Sequence, residues 1–437
     1  MANDDDKKRR ELIPTVSRVL PTGEIIELVY DAKSRRSRLA VSRAGGHTIE
    51  NVVAIDEDTK CIPYSADNNL IKHHVLLLAE RPESFASVAV LISEIDAYIY
   101  RYVDLTENFR KIAAYYVLLT WVYDAFNELP YLRLRGDFGS GKTRALMVIG
   151  SLCYKAFFAS GASTASPIFH LLDSVRGTLI VDEADFRFSD EKADLVKILN
   201  NGNVRGFPVL RTVVTPKGEF NPRAFNVFSP KIVAMRHGFE DQALESRFIT
   251  EEMGQRQLRD DVPINLPDEQ KEEALALRNK LLSYRFEYLS KIAVDASLVD
   301  ADLSPRTNQI LVPLLSIIDD ERLREEIRLV AKGLERSELV ARSSTAEAQV
   351  LDVLSSLLAA GDEAHITVGD ITAALTERYG GEYERPLTNR YVGNILRKRL
   401  HLTTYKSHGV YVVPRAVKGQ VEILCKKYGV NERDSAA

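Results

Sequence analysis

The period of the hydrophobic positions changes abruptly in the middle of the chain. Leu132 and Leu134 alternate with Arg133 and Arg135, the two-residue repeat of a strand, and Ala145-Leu-Met-Val-Ile149 shortly afterwards is helix-forming. A strand running through a glycine-rich loop into a helix is expected here. Upstream, Glu24–Tyr30 and Ser37–Val41 read as the strands of a hairpin around Lys33, Arg35 and Arg36. Those basic residues either touch phosphates or form a solvated turn. From Glu83 to Asn127 the spacing becomes helical, with Val88, Leu91, Ile95 and Tyr98, then Ile112, Tyr115, Leu118, Leu119, Val122 and Phe126, and predicts two amphipathic helices on the N-terminal side of that glycine-rich loop.

Downstream, Ala193–Asn200 reads as a helix and two strand-like runs meet around Thr215-Pro-Lys217-Gly218 as a hairpin. Pro230–Met235 is a buried strand, and residues 265–340 are helical, with Ser304-Pro305 opening a capped helix. Three helices, Ala346–Leu358, Val368–Arg378 and Thr388–Leu400, precede a hairpin over Leu402–Val413 that turns at Ser407–Gly409. Three helices and a hairpin describe a winged helix.

The loop between strand and helix reads Gly136-Asp137-Phe138-Gly139-Ser140-Gly141-Lys142-Thr143-Arg144, which contains G-x-x-x-x-G-K-T. Such glycines let successive backbone N–H groups turn inward as an anion nest at a helix N-terminus. The lysine then reaches the β- and γ-phosphates, and the Thr143 hydroxyl ligates Mg²⁺. Roughly 40 residues further on, Gly177-Thr-Leu-Ile-Val ends in Asp182-Glu183. An apolar strand that stops in two carboxylates suits Asp182 to holding Mg²⁺ and Glu183 to deprotonating the attacking water. ATP and Mg²⁺ are the ligands these residues call for.

Other candidates follow from position. Lys217 near a hairpin tip could grip a backbone phosphate of DNA, or be an exposed lysine on an ordinary turn. Arg236 closes the Pro230–Met235 strand as a weak substitute for the usual polar γ-phosphate sensor. Arg247, just beyond a short helix, stands where a finger for a neighbouring subunit's γ-phosphate belongs, with a structural salt bridge as the alternative. Arg306 could reach back to the bound nucleotide from a helical lid. In the C-terminal module, Arg390, Arg397, Lys398 and Lys406 form a basic surface for DNA, or else the module docks protein.

Composition narrows this only a little. The 437 residues are 45% hydrophobic and 27% charged, with a formal net charge of −4, so any nucleic-acid surface has to be local. Cys61, Cys153 and Cys425 lie far apart in no C-x-x-C or Cys/His pattern, which argues against zinc and a disulfide framework. The N-terminal residues lack a signal peptide's apolar core, and the most apolar stretch, Ile112–Phe126, is too short to span a membrane and carries Asp124. A cytoplasmic protein without membrane partners is expected.

The phosphate loop, the strand ending Asp182-Glu183, the further strand, Leu244-Glu-Ser-Arg247 and the helical stretch after it together resemble the AAA+ ATPases. More narrowly, Lys197-Ile-Leu-Asn-Asn-Gly-Asn-Val-Arg-Gly206, Ser229–Ala234, Ala243–Arg247 and Arg306–Leu315 resemble a family of phage- and plasmid-borne, primase-associated ATPases of long-undefined function. The likeness covers roughly residues 105–330; Met235-Arg236 departs from the commoner Asn or Thr.

It implies an α/β fold with a P-loop parallel-sheet core at 129–255 and a helical lid at 256–342. Outside it, the hydrophobic pattern and composition place a loose segment at 1–12, a small β-rich module at 13–82, linking helices at 83–128, a winged helix at 343–416 and a tail at 417–437. The likeness further implies a homo-hexamer or other ring acting on DNA as a helicase or translocase in replication of a mobile element, with a primase or other replication protein as partner. The alternative is a loader or nucleotide switch that sets another protein on DNA without unwinding it.

Overall fold

The computed structural model describes residues 11–44, 46–159, 164–182, 190–212, 220–239, 241–360, 365–383 and 385–430. It divides into two compact units, Met1–Glu326 and Ile327–Ala437.

Among the described residues, the first unit is built on a five-stranded sheet in the order Phe248–Glu252, Tyr131–Arg135, Lys231–Met235, Leu179–Val181, Phe157–Ala159. All four pairings are parallel. Strands covered on both faces read as unbroken apolar runs, and every residue of Leu179–Val181 and Lys231–Met235 is buried. In such a sheet the ligand edge is the carboxyl edge, because the loops that leave the strands there converge.

The first of the two expected helices, Val88–Tyr102, is amphipathic: its buried residues Leu91, Ile95, Tyr98, Ile99 and Tyr102 recur at three- and four-residue steps. The second departs from expectation. In Glu107–Val122 every residue from Ile112 onward is buried, as befits a helix enclosed on all sides. Trp121 belongs to this core and its Nε1 donates to the Leu152 carbonyl at 2.9 Å.

The N-terminal hairpin pairs Ile25–Asp31 with Arg36–Arg43, and Ser17–Val19 and Gly46–Glu50 complete an antiparallel sheet. A second small sheet starts at Glu11, where Glu11–Thr15 runs parallel to Thr59–Pro63, so ordered chain begins inside the segment expected to be loose. Glu27 on the inner hairpin strand is bonded to Lys155 Nζ (2.7 Å) and Arg285 Nε (2.8 Å), while Arg285 Nη2 reaches Asp124 at 2.7 Å. This buried charge cluster fastens the hairpin to the helix Glu269–Tyr288 and to the turn that follows the helix Lys142–Gly150.

Three longer helices follow, Glu269–Tyr288, Pro305–Leu315 and Glu321–Ser343. Ser304 caps the second by accepting from the Thr307 N–H at 3.2 Å, with Pro305 at the first position, where a missing N–H costs nothing.

In the second unit the helices Ala346–Ala360, Val368–Tyr379 and Asn389–Asn394 precede the strands Tyr405–Ser407 and Val410–Pro414; the last helix runs on into a π-helical turn, Ile395–Arg399. A third strand, His365–Thr367, pairs with Val410–Pro414 and was not legible in the pattern. The expected tail at 417–437 needs correction: Lys418–Tyr428 is a helix that buries Val421 and Cys425. Those two residues stand four apart, one face of a helix, but the surrounding lysines dilute the signal.

Candidate nucleotide site

The site grows out of the end of one strand. Tyr131–Arg135 stops at Gly136, and the loop that follows delivers its last residues to the N-terminus of the helix Lys142–Gly150. Gly141 caps this helix with φ 88°, and Gly139 has φ 77°, a backbone region that suits glycine and lets the loop reverse. Gly136 is required by closeness. A Cβ there would stand 2.6 Å from the Met253 carbonyl and 2.9 Å from Ser140 Oγ. Met253 presses against the loop because its N–H donates to the Arg135 carbonyl at 2.6 Å, extending the pairing of the neighbouring strand.

Lys142 points back into the cup of the loop. Its Nζ donates to the carbonyls of Gly136 and Asp137, both at 2.6 Å, and to Ser140 Oγ at 3.3 Å. Thr143 Oγ1 donates to Asp182 Oδ2 at 2.7 Å. Asp182 is itself held where its strand ends, its N–H donating to the Ala159 carbonyl at 3.0 Å. Thus the phosphate loop and the acidic strand end meet although the Lys231–Met235 strand lies between them in the sheet. That interposed strand delivers Arg236 to the same edge, where its guanidinium lies 5.8 Å from the centroid of Phe138, a ring 87% exposed at the loop tip. Arg144 turns elsewhere: its guanidinium donates to the carbonyls of Pro263 and Ile264 and so braces the segment that follows Met253 and Gly254.

The donors fit a magnesium-bound polyphosphate. Backbone N–H groups at a helix N-terminus and an ammonium suit phosphate, and a hydroxyl beside a carboxylate suits a small hard cation. Mg²⁺ on a nucleotide takes one or two protein oxygens and keeps water and phosphate for the rest, so no dedicated cage is needed. Among the described residues no group of three or more His, Cys, Asp or Glu side chains could hold a metal. Glu183 and Lys217 lie outside the described residues.

The two remaining arginines lie at the opposite edge of the sheet. Arg247 immediately precedes Phe248–Glu252, and its carbonyl accepts from the N–H of Tyr131, the first residue of the phosphate-loop strand. Five residues of strand, roughly 15 Å, therefore separate it from its own phosphate loop. Its Nε donates to Asn203 Oδ1 (2.8 Å), Nη1 to Asn200 Oδ1 (2.9 Å) and Nη2 to the Asn200 carbonyl (3.2 Å). Burial and then the neighbouring Arg306 charge push the Arg247 guanidinium below its usual range. Arg306 Nε donates to Ser246 Oγ. Its helix begins beside Ser246, at the sheet edge away from the loop Gly136–Gly141. Asn200 and Asn203 both stand in the Lys197–Gly206 run, where neither charge nor spacing marks them as partners of an arginine.

In the second unit, Lys406 and Tyr411 are direct cross-strand partners, and the Arg397 guanidinium lies over the Tyr411 ring at 4.8 Å. Arg390 is exposed on the first turn of its helix, and Lys398 is exposed in the π-helical turn. Among the described residues none of Arg390, Arg397, Lys398 and Lys406 pairs with a carboxylate, whereas Arg399 meets Glu347 at 2.8 Å.

Neither a family model nor a curated relative matches the sequence. Solved structures that align along the chain include the C-terminal region of NrS-1 (11% identity, 89% of this chain and 96% of that one, TM-score 0.37). Others are SCCmec type IV Cch, described as an active helicase (12%, 94% and 81%, TM-score 0.39), and an MCM homolog from Methanopyrus kandleri (12%, 71% and 72%, TM-score 0.35). Likenesses this loose leave the function to the site itself. No helix of the described residues is long and apolar enough to cross a membrane.

Proposed function

We propose that the chain is a Mg²⁺-dependent ATPase that drives movement along DNA as a ring of identical copies. The observation that carries the proposal is the 2.7 Å bond between Thr143 Oγ1 and Asp182 Oδ2, which joins a phosphate-binding loop to an acidic strand end at the carboxyl edge of a parallel sheet. Lys142 and the N–H groups of the loop bind the phosphates, and Thr143 with Asp182 holds the metal. Mg²⁺ supplies charge neutralisation on the β- and γ-phosphates when bound. Glu183, next to Asp182 in sequence, takes the proton of the attacking water.

Arg247 supports the ring. One strand length from its own phosphate loop, Arg247 is placed to serve a phosphate held by another copy, and such an arginine offsets the charge on the departing phosphoryl group. Arg306, beside Ser246, belongs to the same trans surface. The winged-helix reading of the second unit rests on its three helices and hairpin, and Arg397 and Lys406 beside Tyr411, with the exposed Arg390 and Lys398, supply the attraction for a phosphate backbone.

The test is ATP turnover and strand displacement on forked DNA by the purified full chain. Lys142→Ala should abolish both; unchanged turnover overturns the proposal. Turnover without displacement replaces the motor with the loader reading.

A further inference from the structure

The run Lys197–Gly206 contains three asparagines, Asn200, Asn201 and Asn203, that nothing in nucleotide binding uses. Two of them close around Arg247. Asn203 Oδ1 takes the Nε proton, Asn200 Oδ1 takes one from Nη1, and the Asn200 carbonyl takes one from Nη2. All three acceptors are neutral. A carboxylate in their place would fix the guanidinium equally well but cancel its charge, whereas an amide oxygen sets the direction and adds no counter-charge to the weak pull of Asp241, which the Arg306 repulsion outweighs. The turn that carries them is itself pinned from three sides. Tyr131 Oη donates to the Leu199 carbonyl at 3.1 Å, the Leu129 N–H donates to the Asn203 carbonyl at 2.9 Å, and Lys231 Nζ donates to the Gly202 carbonyl at 3.1 Å.

Lys231 shows how firmly. Its side-chain nitrogen is fully buried, ringed by the carbonyls of Gly202, Val227 and Ser229 and lying 5.0 Å from the Tyr131 ring centroid. A Cβ on Gly202 would fall 2.3 Å from that nitrogen. The turn also ends the helix Asp190–Asn201, which packs Leu195, Ile198 and Leu199 on the sheet and starts eight residues after Asp182. One rigid helix of twelve residues, about 18 Å long, thus leads from the segment after the metal-binding carboxylate to the turn that grips Arg247.

We infer that Asn200 and Asn203 are positioning residues for Arg247, aiming it at the phosphate of a neighbouring copy. The inference rests on the reading of Arg247 as a trans-acting arginine.

The experiment compares full-length Asn200→Ala/Asn203→Ala, Arg247→Ala and Lys142→Ala, alone and mixed. The asparagine variant should lose roughly 100-fold in kcat while binding a fluorescent ATP analogue within about twofold of the parent. A merely structural defect would stay with the subunit that carries it. A positioning defect should instead be repaired by mixing with Lys142→Ala, because that inactive subunit brings an intact, correctly held Arg247 to the intact site of its neighbour. Recovery in the mixture, matching that of Arg247→Ala with Lys142→Ala, supports the inference. If Arg247→Ala alone turns over normally, the trans-arginine reading fails and takes the inference with it. If Arg247→Ala is inactive and repaired by mixing, while the asparagine variant is either fully active or inactive and not repaired, the inference alone is overturned. Should the double variant not yield soluble protein, Asn200→Ala, at the less buried position, is read by the same criteria.

Discussion

Thr143 and Asp182, 39 residues apart in sequence, share a hydrogen bond of 2.7 Å across an intervening strand. Because both side chains are assigned to one metal, their effects should not add. Thr143→Val and Asp182→Asn should each raise the Mg²⁺ concentration needed for half-maximal ATP turnover. The double variant should fall short of the sum by about 0.5–3 kcal/mol, the range for residues in one network. Strict additivity in that titration would place the metal elsewhere.

Gly136→Ala tests the pressure of Met253 on the loop. A Cβ at 2.6 Å from a backbone carbonyl cannot be relieved by a side-chain rotation, so loop or strand must shift. We expect about 1–3 kcal/mol of lost stability in denaturant unfolding and at least tenfold weaker nucleotide binding. Gly139→Ala, with open space around it, should cost only the strain of φ 77°, about 1 kcal/mol. Equal penalties at the two sites would refute the packing argument.

Glu27→Gln should destabilise the first unit in a pH-dependent way. Burial pushes the Lys155 ammonium down from 10.5 to about 8, even though Glu27 pulls the other way. Its folded value lies below its unfolded one, so between about 8 and 10.5 the folded chain holds fewer protons and this group's share of stability rises with pH. Removing the Glu27 charge leaves a buried cation without its nearest counter-charge, which should cost about 3–5 kcal/mol at neutral pH. Above about pH 8, where Lys155 sheds its proton, the gap between variant and parent should narrow. Thermal unfolding across that range checks the sign, and a gap that widens with pH contradicts it.

Lys406→Ala and Arg397→Ala report on the second unit. If each cation meets one phosphate, either change should lower the slope of log affinity against log salt by ~1 and weaken binding alike for unrelated DNA sequences. Fluorescence anisotropy of labelled DNA at several salt concentrations reads this. An unchanged slope would move the DNA contact off the Arg397–Tyr411–Lys406 surface.

Much of the local structure was legible because it obeys short-range rules. The glycine spacing from Gly136 to Gly141 dictates a loop, the alternation at Leu132 and Leu134 dictates a strand, and Ser304-Pro305 dictates a helix start. Less legible were elements whose pattern is diluted or complete. The lysine-rich Lys418–Tyr428 hid its apolar face, and Ile112–Val122, enclosed on every side, carries no polar stripe to betray how it sits.

By itself, then, the order of residues determined which side chains stand on the phosphate loop and at the strand end, since both depend on neighbours a few positions away. Only the tertiary structure decided what those elements face. Sheet order is set by burial over distances the local pattern does not encode, and it is sheet order that seats Asp182 against Thr143. The same burial sends Arg247 and Arg306 to the far edge and wraps Asn200 and Asn203 around the first of them.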